Sequence, residues 1–486
     1  MSYINASFNA SFNASVNATN GELVDLKRNL DSMFLLTNAI IVCLMQCGFA
    51  CLEAGSVRSK NVTNIIMKNL LDIFISGVCY WLVGYTLAYS EGNCFLGYSN
   101  WAGVGVPPTS LAHWFFQFVF AATAATIISG AVAERCNFIA YIVYSGVVSG
   151  FMYPIVSHWV WDEQGWLLQL GYRDFAGSGA VHLLAGTCSL VGAVILGPRI
   201  GRFKSRNPSQ MEEQLELAGH STALVGVGGM ILIAGFLAFN GGTLGHVTRP
   251  GDGDMIAKVM CNTVLGGCGG SLVILFASKL GSCYGPRSWA FANTLNATFA
   301  GMVSVCAAAD EMTFWSSFLS GAFAGVVYMA IHKLMIWCRV DDPLDTVGVH
   351  FGGGFWGLMS ASFFSESGLF YGFSLDSTML LVNRIVGAAA IIGWSGALSI
   401  VMFGTLKIMG VFRVTPEQEM QGLDLALHNE PGYPPMGWHP QPYNLPSLNS
   451  PALEKGEVAQ SSEIPTYRTV SEFHNLAFET DEQPRG

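Results

Sequence analysis

From residue 32 to about 411 the chain is a succession of long apolar runs parted by short polar stretches. A bilayer core needs roughly twenty apolar residues per helix. Eleven runs meet that demand: residues 32–52, 71–90, 111–132, 138–157, 175–197, 219–240, 258–280, 287–307, 314–337, 343–365 and 381–408. Each predicts a transmembrane helix. Residues 1–31 form a polar tail, and from about 412 the apolar pattern ends. The segment "TPEQEMQGLDLALH" predicts one short helix, since Thr–Pro–Glu is a good helix start. The proline-rich stretch "NEPGYPPMGWHPQPYNLPSLNSP" has no helical period, so residues 412–486 read as a tail that is mostly disordered after about 431.

Composition agrees with a membrane location. Hydrophobic residues make up 51% and charged ones 12%, about half the charged share of a soluble globular chain. The 56 glycines suit helices that pack closely in lipid. The fold class is therefore all-α and polytopic. The formal charge of −10 comes largely from the ends and loops and says little about partners; no basic patch or nucleic-acid motif stands out, so no nucleic-acid partner is expected. Twelve cysteines are scattered without a CxxC, and most lie in apolar runs as small packing residues; Cys94 is the best placed for an outward-facing thiol. The stretch before residue 32 has no basic start followed by a short apolar core, so the first apolar run is expected to act as its own insertion signal.

Lys and Arg set the direction of insertion. One set of loops holds twelve of them, among them Arg58, Lys60, Lys68, Arg135, Arg199 and Arg339; the opposite set, with the N-terminal tail, holds six, among them Arg173, Lys258 and Arg384. The richer set is expected to face the cytoplasm. The N-terminus is then outside and, after an odd number of spans, the C-terminus inside. That orientation puts the sequons of Asn5, Asn9, Asn13 and Asn17 where N-glycosylation is possible. A low-complexity tail that is never modified would look the same. Asn61 and Asn296 also sit in sequons but fall on the cytoplasmic side and inside a span, so neither is expected to carry sugar.

Ionisable groups inside spans are costly and usually have a reason to be there. Two histidines qualify, in "DFAGSGAVH" and "DDPLDTVGVH". In each an Asp precedes the His by eight positions: Asp174 to His182 and Asp342 to His350. They mark the fifth and tenth spans, so five spans repeat as five inverted spans, followed by a final helix. If the helices start at the Asp residues, as their N-cap preference suggests, eight residues place each imidazole roughly 12 Å in. Both rings then approach the midplane from opposite sides and can share a hydrogen bond. Two unrelated, locally satisfied histidines would show the same spacing. Trp161, Phe120, Phe239 and Thr243 cluster toward the outer side; any one of these aromatics alone is compatible with ordinary packing or an interfacial belt.

Taken together these residues resemble the ammonium transporter family (Amt/MEP/Rh), Amt branch. "DFAGSGAVHLLAGTCSLVGAVILGPR" is similar to the family signature along the fifth span. "CGFACLEAGSVRSKN", "GAVAER", "FNGGT" and "DTVGVHFGGGFWG" resemble its first, third, sixth and tenth-span motifs, and the likeness runs over about residues 32–430. The resemblance implies transport of ammonium or ammonia, with methylammonium as an analogue, by a homotrimer in the cell membrane with one pore per subunit. It implies no cofactor and no metal. Trp161, Phe120 and Thr243 correspond to an external recruitment site, Phe120 and Phe239 to a stacked gate, His182 and His350 to the pore pair, and Asp174 to the aspartate that organises the vestibule. Bacterial relatives often have Ser where Thr243 stands, and plant relatives carry a regulatory Thr where Ala426 stands, so phospho-gating is not carried over to that position.

An enzyme that uses the histidines as metal or haem ligands needs further ligands at their depth, and no Cys/His/carboxylate cluster supplies them. An ammonium sensor with little net flux is the alternative that the long C-terminal tail motivates.

Overall fold

A computed structural model of the chain describes residues 2–203, 217–281 and 287–433, with side chains from residue 20 onward. The described secondary structure is helical apart from three isolated bridges. The helices that matter below are α1 (Asn20–Ser56), α2 (Ser59–Tyr89), α3 (Pro108–Val132) and α4 (Phe138–Val147 through a wide turn to Tyr153–Trp161). They continue with α5 (Ser178–Leu196), α6 (Thr222–Gly242), α7 (Asp252–Leu280), α8 (Phe291–Val305) and α9 (Phe314–Trp337). The last are α10 (Val347–Gly352 running on as Gly353–Phe364), α11 (Leu375–Ile408) and α12 (Pro416–Gln421). Among the described residues nine helices are long and apolar enough to cross a membrane. The chain is thus a multi-pass membrane protein. Two of the eleven expected spans, α8 and α10, are not among the nine: α8 has 15 residues, about 22 Å of helix, and α10 carries five glycines and His350 along its length.

One large boundary error concerns α2. Expected from residue 71, it is helical from Ser59. Its first turns carry Asn64, Lys68 and Asn69, which hydropathy assigns to a loop, and Asp72 follows one turn on. All four are buried. Asp72 accepts hydrogen bonds from Tyr141 and from Ser145 (2.6 Å), and Lys68 donates to the Cys136 carbonyl (3.2 Å). Polar groups in a span are tolerated when they face one another rather than lipid. Arg384 is likewise no loop residue; it lies buried in α11 and donates to the Arg173 carbonyl (3.1 Å).

The histidine helices also start later than expected. α5 begins at Ser178 and α10 at Val347, so neither Asp174 nor Asp342 is the residue next to the helix. Each carboxylate instead reaches over an intervening turn. Asp174 accepts from the N–H groups of Gly177 (3.1 Å), Gly179 (2.8 Å) and Ala180 (2.9 Å); Asp342 accepts from Val347 N–H (2.7 Å). These are donors that a helix start leaves without intrahelical partners. His182 and His350 therefore sit in the first, wide turn of their helices rather than two turns in.

What brings the histidines level is a crossing of α5 and α10 at glycines. A Cβ on Gly186 would lie 2.2 Å from the backbone N of Phe351, and one on Gly354 2.5 Å from the Ser178 carbonyl oxygen. Each of these glycines follows its histidine by one helical turn. Small residues at such a crossing let backbones touch.

At one end of the molecule an ionic cluster ties the loops together. Arg199 pairs with Asp341 (2.8 Å) and Glu134 (3.1 Å), and Arg58 pairs with Glu134 (2.9 Å). Burial would raise the Glu134 carboxyl, yet Arg199 and Arg58 hold it below its ordinary value. The tail docks on this face. Thr415 and Gln418 form the capping box of α12, Glu419 accepts from Ile200 N–H (2.7 Å), and Asn61 and Asp424 accept from Leu423 and Asn64 N–H (each 2.9 Å). Asn61, one of the two sequons expected to stay bare, is thus enclosed. The expected disorder after about 431 falls, from 434 on, outside the described residues.

Candidate functional site

At the end opposite the tail, α3, α4 and α6 bring the expected aromatics together. Phe120 stacks on Phe239, with centroids 3.9 Å apart and planes 12° from parallel. Trp161 meets Phe120 edge to face at 6.3 Å and 82°. Trp161 Nε1 donates to the Asp174 carbonyl (2.8 Å). The indole N–H is therefore committed, and what the ring offers a neighbour is its face. Thr243, just past α6, donates its hydroxyl proton to the Phe239 carbonyl (2.7 Å). Its oxygen keeps lone pairs for an external donor. Asp174, by contrast, is occupied by three backbone N–H groups and the Tyr172 hydroxyl (3.4 Å). It holds the start of α5 in place rather than presenting a free carboxylate.

Beside Trp161 opens a recess of about 420 Å³, also lined by Asp174, Tyr172, Asp310, Glu311 and Arg384. Asp310 lies in the loop after α8. Burial, reinforced by Glu311, pushes its carboxyl up to about 6.

Behind the phenylalanine stack lie the histidines. His182 Nδ1 and His350 Nδ1 are 3.1 Å apart, so one ring donates and the other accepts. Both are buried, at 1% and 8% exposure. His182 also stacks on Phe236 (5.7 Å, 20°) and contacts Phe239 (5.7 Å). Its Nε2 has no hydrogen-bond partner. A buried polar atom left unpaired costs about 1–3 kcal/mol, so this nitrogen is an open position in an otherwise apolar bore. Beyond His350, on the tail side, a second recess of about 470 Å³ is lined by Phe49, Glu53, Phe236, Asn296, Phe299 and Thr346 among others.

The structure thus gathers Trp161, Phe120, Phe239, Thr243, Asp174, His182 and His350 along one file from one end towards the other. Asn5, Asn9, Asn13 and Asn17 precede the residues whose side chains are described. Sequence reasoning missed Phe236, which stands one turn before Phe239 on α6, and Phe299 on α8, 6.3 Å from it. The i, i+3 repeat of phenylalanine on α6 was a usable signal for the first; nothing local distinguishes the second. It also missed Phe116, 4.8 Å from Phe120.

Residues 33–433 match the family model described as Ammonium Transporter Family. The chain is 43% identical over 441 residues to putative ammonium transporter 1 of Caenorhabditis elegans, covering 85% of this chain and 81% of the relative. It is 34% identical to ammonium transporter Amt2 of Archaeoglobus fulgidus, covering 83% and 88%. Among solved structures it is similar to a sensor Amt protein (TM-score 0.75, 29% identity, 83% and 99% covered). Candida albicans Mep2 shares the fold (TM-score 0.69, 23% identity, 80% and 87% covered). The curated relatives carry the names of ammonium transporters, and the family is one of transporters and not of enzymes. With an all-helical membrane fold and this file of aromatics and histidines behind the match, the chain belongs to the ammonium transporter family.

Proposed function

We propose that the chain moves ammonium across the cell membrane by recruiting the cation, stripping its proton and passing ammonia between His182 and His350. The observation that carries this reading is the buried, hydrogen-bonded imidazole pair with one free ring nitrogen behind a closed phenylalanine stack. In this reading α8 and α10 cross the membrane too, giving eleven spans as an inverted 5+5 repeat plus α11. The Trp161 end faces outside and the tail faces the cytoplasm. The N-terminal sequons are then exposed to glycosylation, and the subunit works in a homotrimer. The domain limits stay at residues 1–31, 32–411 and 412–486.

The physics supports a split of charge from nitrogen. A cation over the Trp161 or Phe120 face gains about 0.5–2 kcal/mol, and Thr243 can accept one of its N–H bonds. Ammonium has four directed N–H bonds to use there, whereas potassium needs oxygens around it that the aromatic site does not supply. Carrying the intact ion onward past Phe236 and Phe239 is costly, since an unpaired charge in an apolar medium loses its hydration. Handing the proton to water on the Trp161 side of the phenylalanine stack, as hydronium, removes most of that cost. Ammonia then fits the free His182 Nε2 as either donor or acceptor.

The test is uptake of labelled methylammonium in a transport-deficient cell. The wild type is expected to restore uptake and His182→Ala to lose it or its selectivity over potassium. Uptake by His182→Ala with unchanged selectivity overturns the histidine role, and binding without uptake by the wild type turns the chain into a sensor.

A further inference from the structure

Glu53 is the one carboxyl that lines the tail-side recess together with His350. It stands in "LEAG" of the first-span motif, is 1% exposed, and takes no part in the path described so far. Ser129 Oγ lies 2.5 Å from both of its oxygens, and Asn69 Nδ2 donates to it at 3.2 Å. Neither Ser129 nor Asn69 lines the recess. An ionised carboxylate has about four acceptor positions, so lone pairs remain. No Lys or Arg of the described residues pairs with it. Lys68, the nearby buried cation, is drawn to the Cys136 carbonyl, and Asp72 is held by Tyr141 and Ser145. Two carboxyls and one lysine are thus enclosed between α1, α2, α3 and α4. The set balances electrically only if one carboxyl keeps its proton or a cation joins it.

We infer that this recess is a second ammonium-binding site, on the tail side of the histidines, with Glu53 as its anion. Asn296, whose Nδ2 lies 3.3 Å from Asp345, and Thr346 add neutral polar groups to the same wall. Phe49, Phe236 and Phe299 give it the aromatic faces that favour a desolvated cation. Ammonia that has passed His350 takes a proton from water at the tail-side mouth, the hydroxide left behind passing into bulk solvent, and pauses here as ammonium before release. The site mirrors the one at Trp161 but uses a fixed carboxylate where the other uses ring faces and a hydroxyl. This inference rests on the transport reading above.

The experiment compares KM for methylammonium from each face, in right-side-out and inside-out membrane vesicles, for the wild type and Glu53→Gln. The amide keeps the shape and can still accept from Ser129. The expected result is a KM raised about tenfold from the tail face and unchanged from the Trp161 face, the size of one lost charge-assisted contact. Equal KM shifts on both faces, or none, overturn the site. Wild-type vesicles that transport normally while the variant shows no asymmetry sink this inference and leave the transport reading standing. Should Glu53→Gln fail to fold, modification of Glu53 in the wild type by an apolar carbodiimide, read by peptide mass spectrometry, decides. Ammonium supplied from the tail face is expected to suppress the labelling, and labelling indifferent to ammonium refutes the site.

Discussion

The two histidine segments share a sequence pattern, a wide first turn and a glycine one turn later, yet they are not equivalent. Asp174 satisfies three backbone donors and is itself backed by Tyr172. Asp342 accepts from Val347, and its Oδ1 has no partner. The chain enters α5 through Gly177 at φ +97°, where a glycine is at ease, and approaches α10 through Asp345 at φ +58°, a left-handed position for a residue with a side chain. Tyr328 and His332 bond that aspartate (3.0 and 2.6 Å) and hold it there. His182 is enclosed by Phe236 and Phe239, while His350 opens on the tail-side recess. Two segments of like pattern thus supply matching backbones, and the neighbours of each decide which histidine is sealed and which opens on a recess.

The strongest way to break the comparison is to remove what the two copies share. Gly186→Val and Gly354→Val each force a side chain into backbone that cannot yield, given approaches of 2.2 and 2.5 Å. Both variants are expected to lose uptake and most surface protein, measured by surface labelling; normal surface levels in either would refute the crossing.

Next in size is the difference in capping. Asp174→Ala leaves three buried N–H groups without partners and Asp342→Ala one, at about 1–3 kcal/mol each. Thermal unfolding of the detergent-solubilised protein is expected to fall clearly further for Asp174→Ala. Equal losses would mean that the two turns are energetically alike after all.

A smaller effect sharpens the Trp161 side. Trp161→Ala removes a cation-facing ring, so KM from that face should rise about 2- to 30-fold. The maximal rate should change little, because the histidine pair is untouched. A fall in rate at unchanged KM contradicts the recruitment role.

The smallest expected effect is on pH. Asp310 shares the outer recess with Trp161 and titrates near pH 6, with burial the main cause and Glu311 adding to it. Above that pH it adds a negative charge beside the cation site; below it the charge is gone. KM from the Trp161 face should therefore rise modestly as external pH falls through about 6. In Asp310→Asn it should stay at the higher value throughout. A wild-type KM that is flat across that range removes Asp310 from the account.

Much of this was legible beforehand. Span positions follow from hydropathy because the cost of placing a side chain in lipid is paid residue by residue; α3 and α9 came out at the boundaries expected, 111–132 within the one and 314–337 for the other. The histidines were legible because an ionisable residue in an apolar run is rare and the Asp–His interval repeats. Where polar residues cluster, the same local rule misleads. Lys68, Asn69 and Arg384 looked like loop residues because their partners, the Cys136 carbonyl, Glu53 and the Arg173 carbonyl, lie in other segments of the chain.

By itself, then, the sequence determined that this chain folds as packed helices in a membrane and which two imidazoles stand at its centre, since these rest on single-residue transfer energies and recurring spacing; its family was legible from the resemblance of its motifs. Only the tertiary structure decided that His182 is sealed behind a phenylalanine stack and that Glu53 lines a recess beside His350. Those outcomes depend on how close two helices can approach, and at Gly186 and Gly354 it is the missing side chain of one helix against the backbone of another that sets the distance.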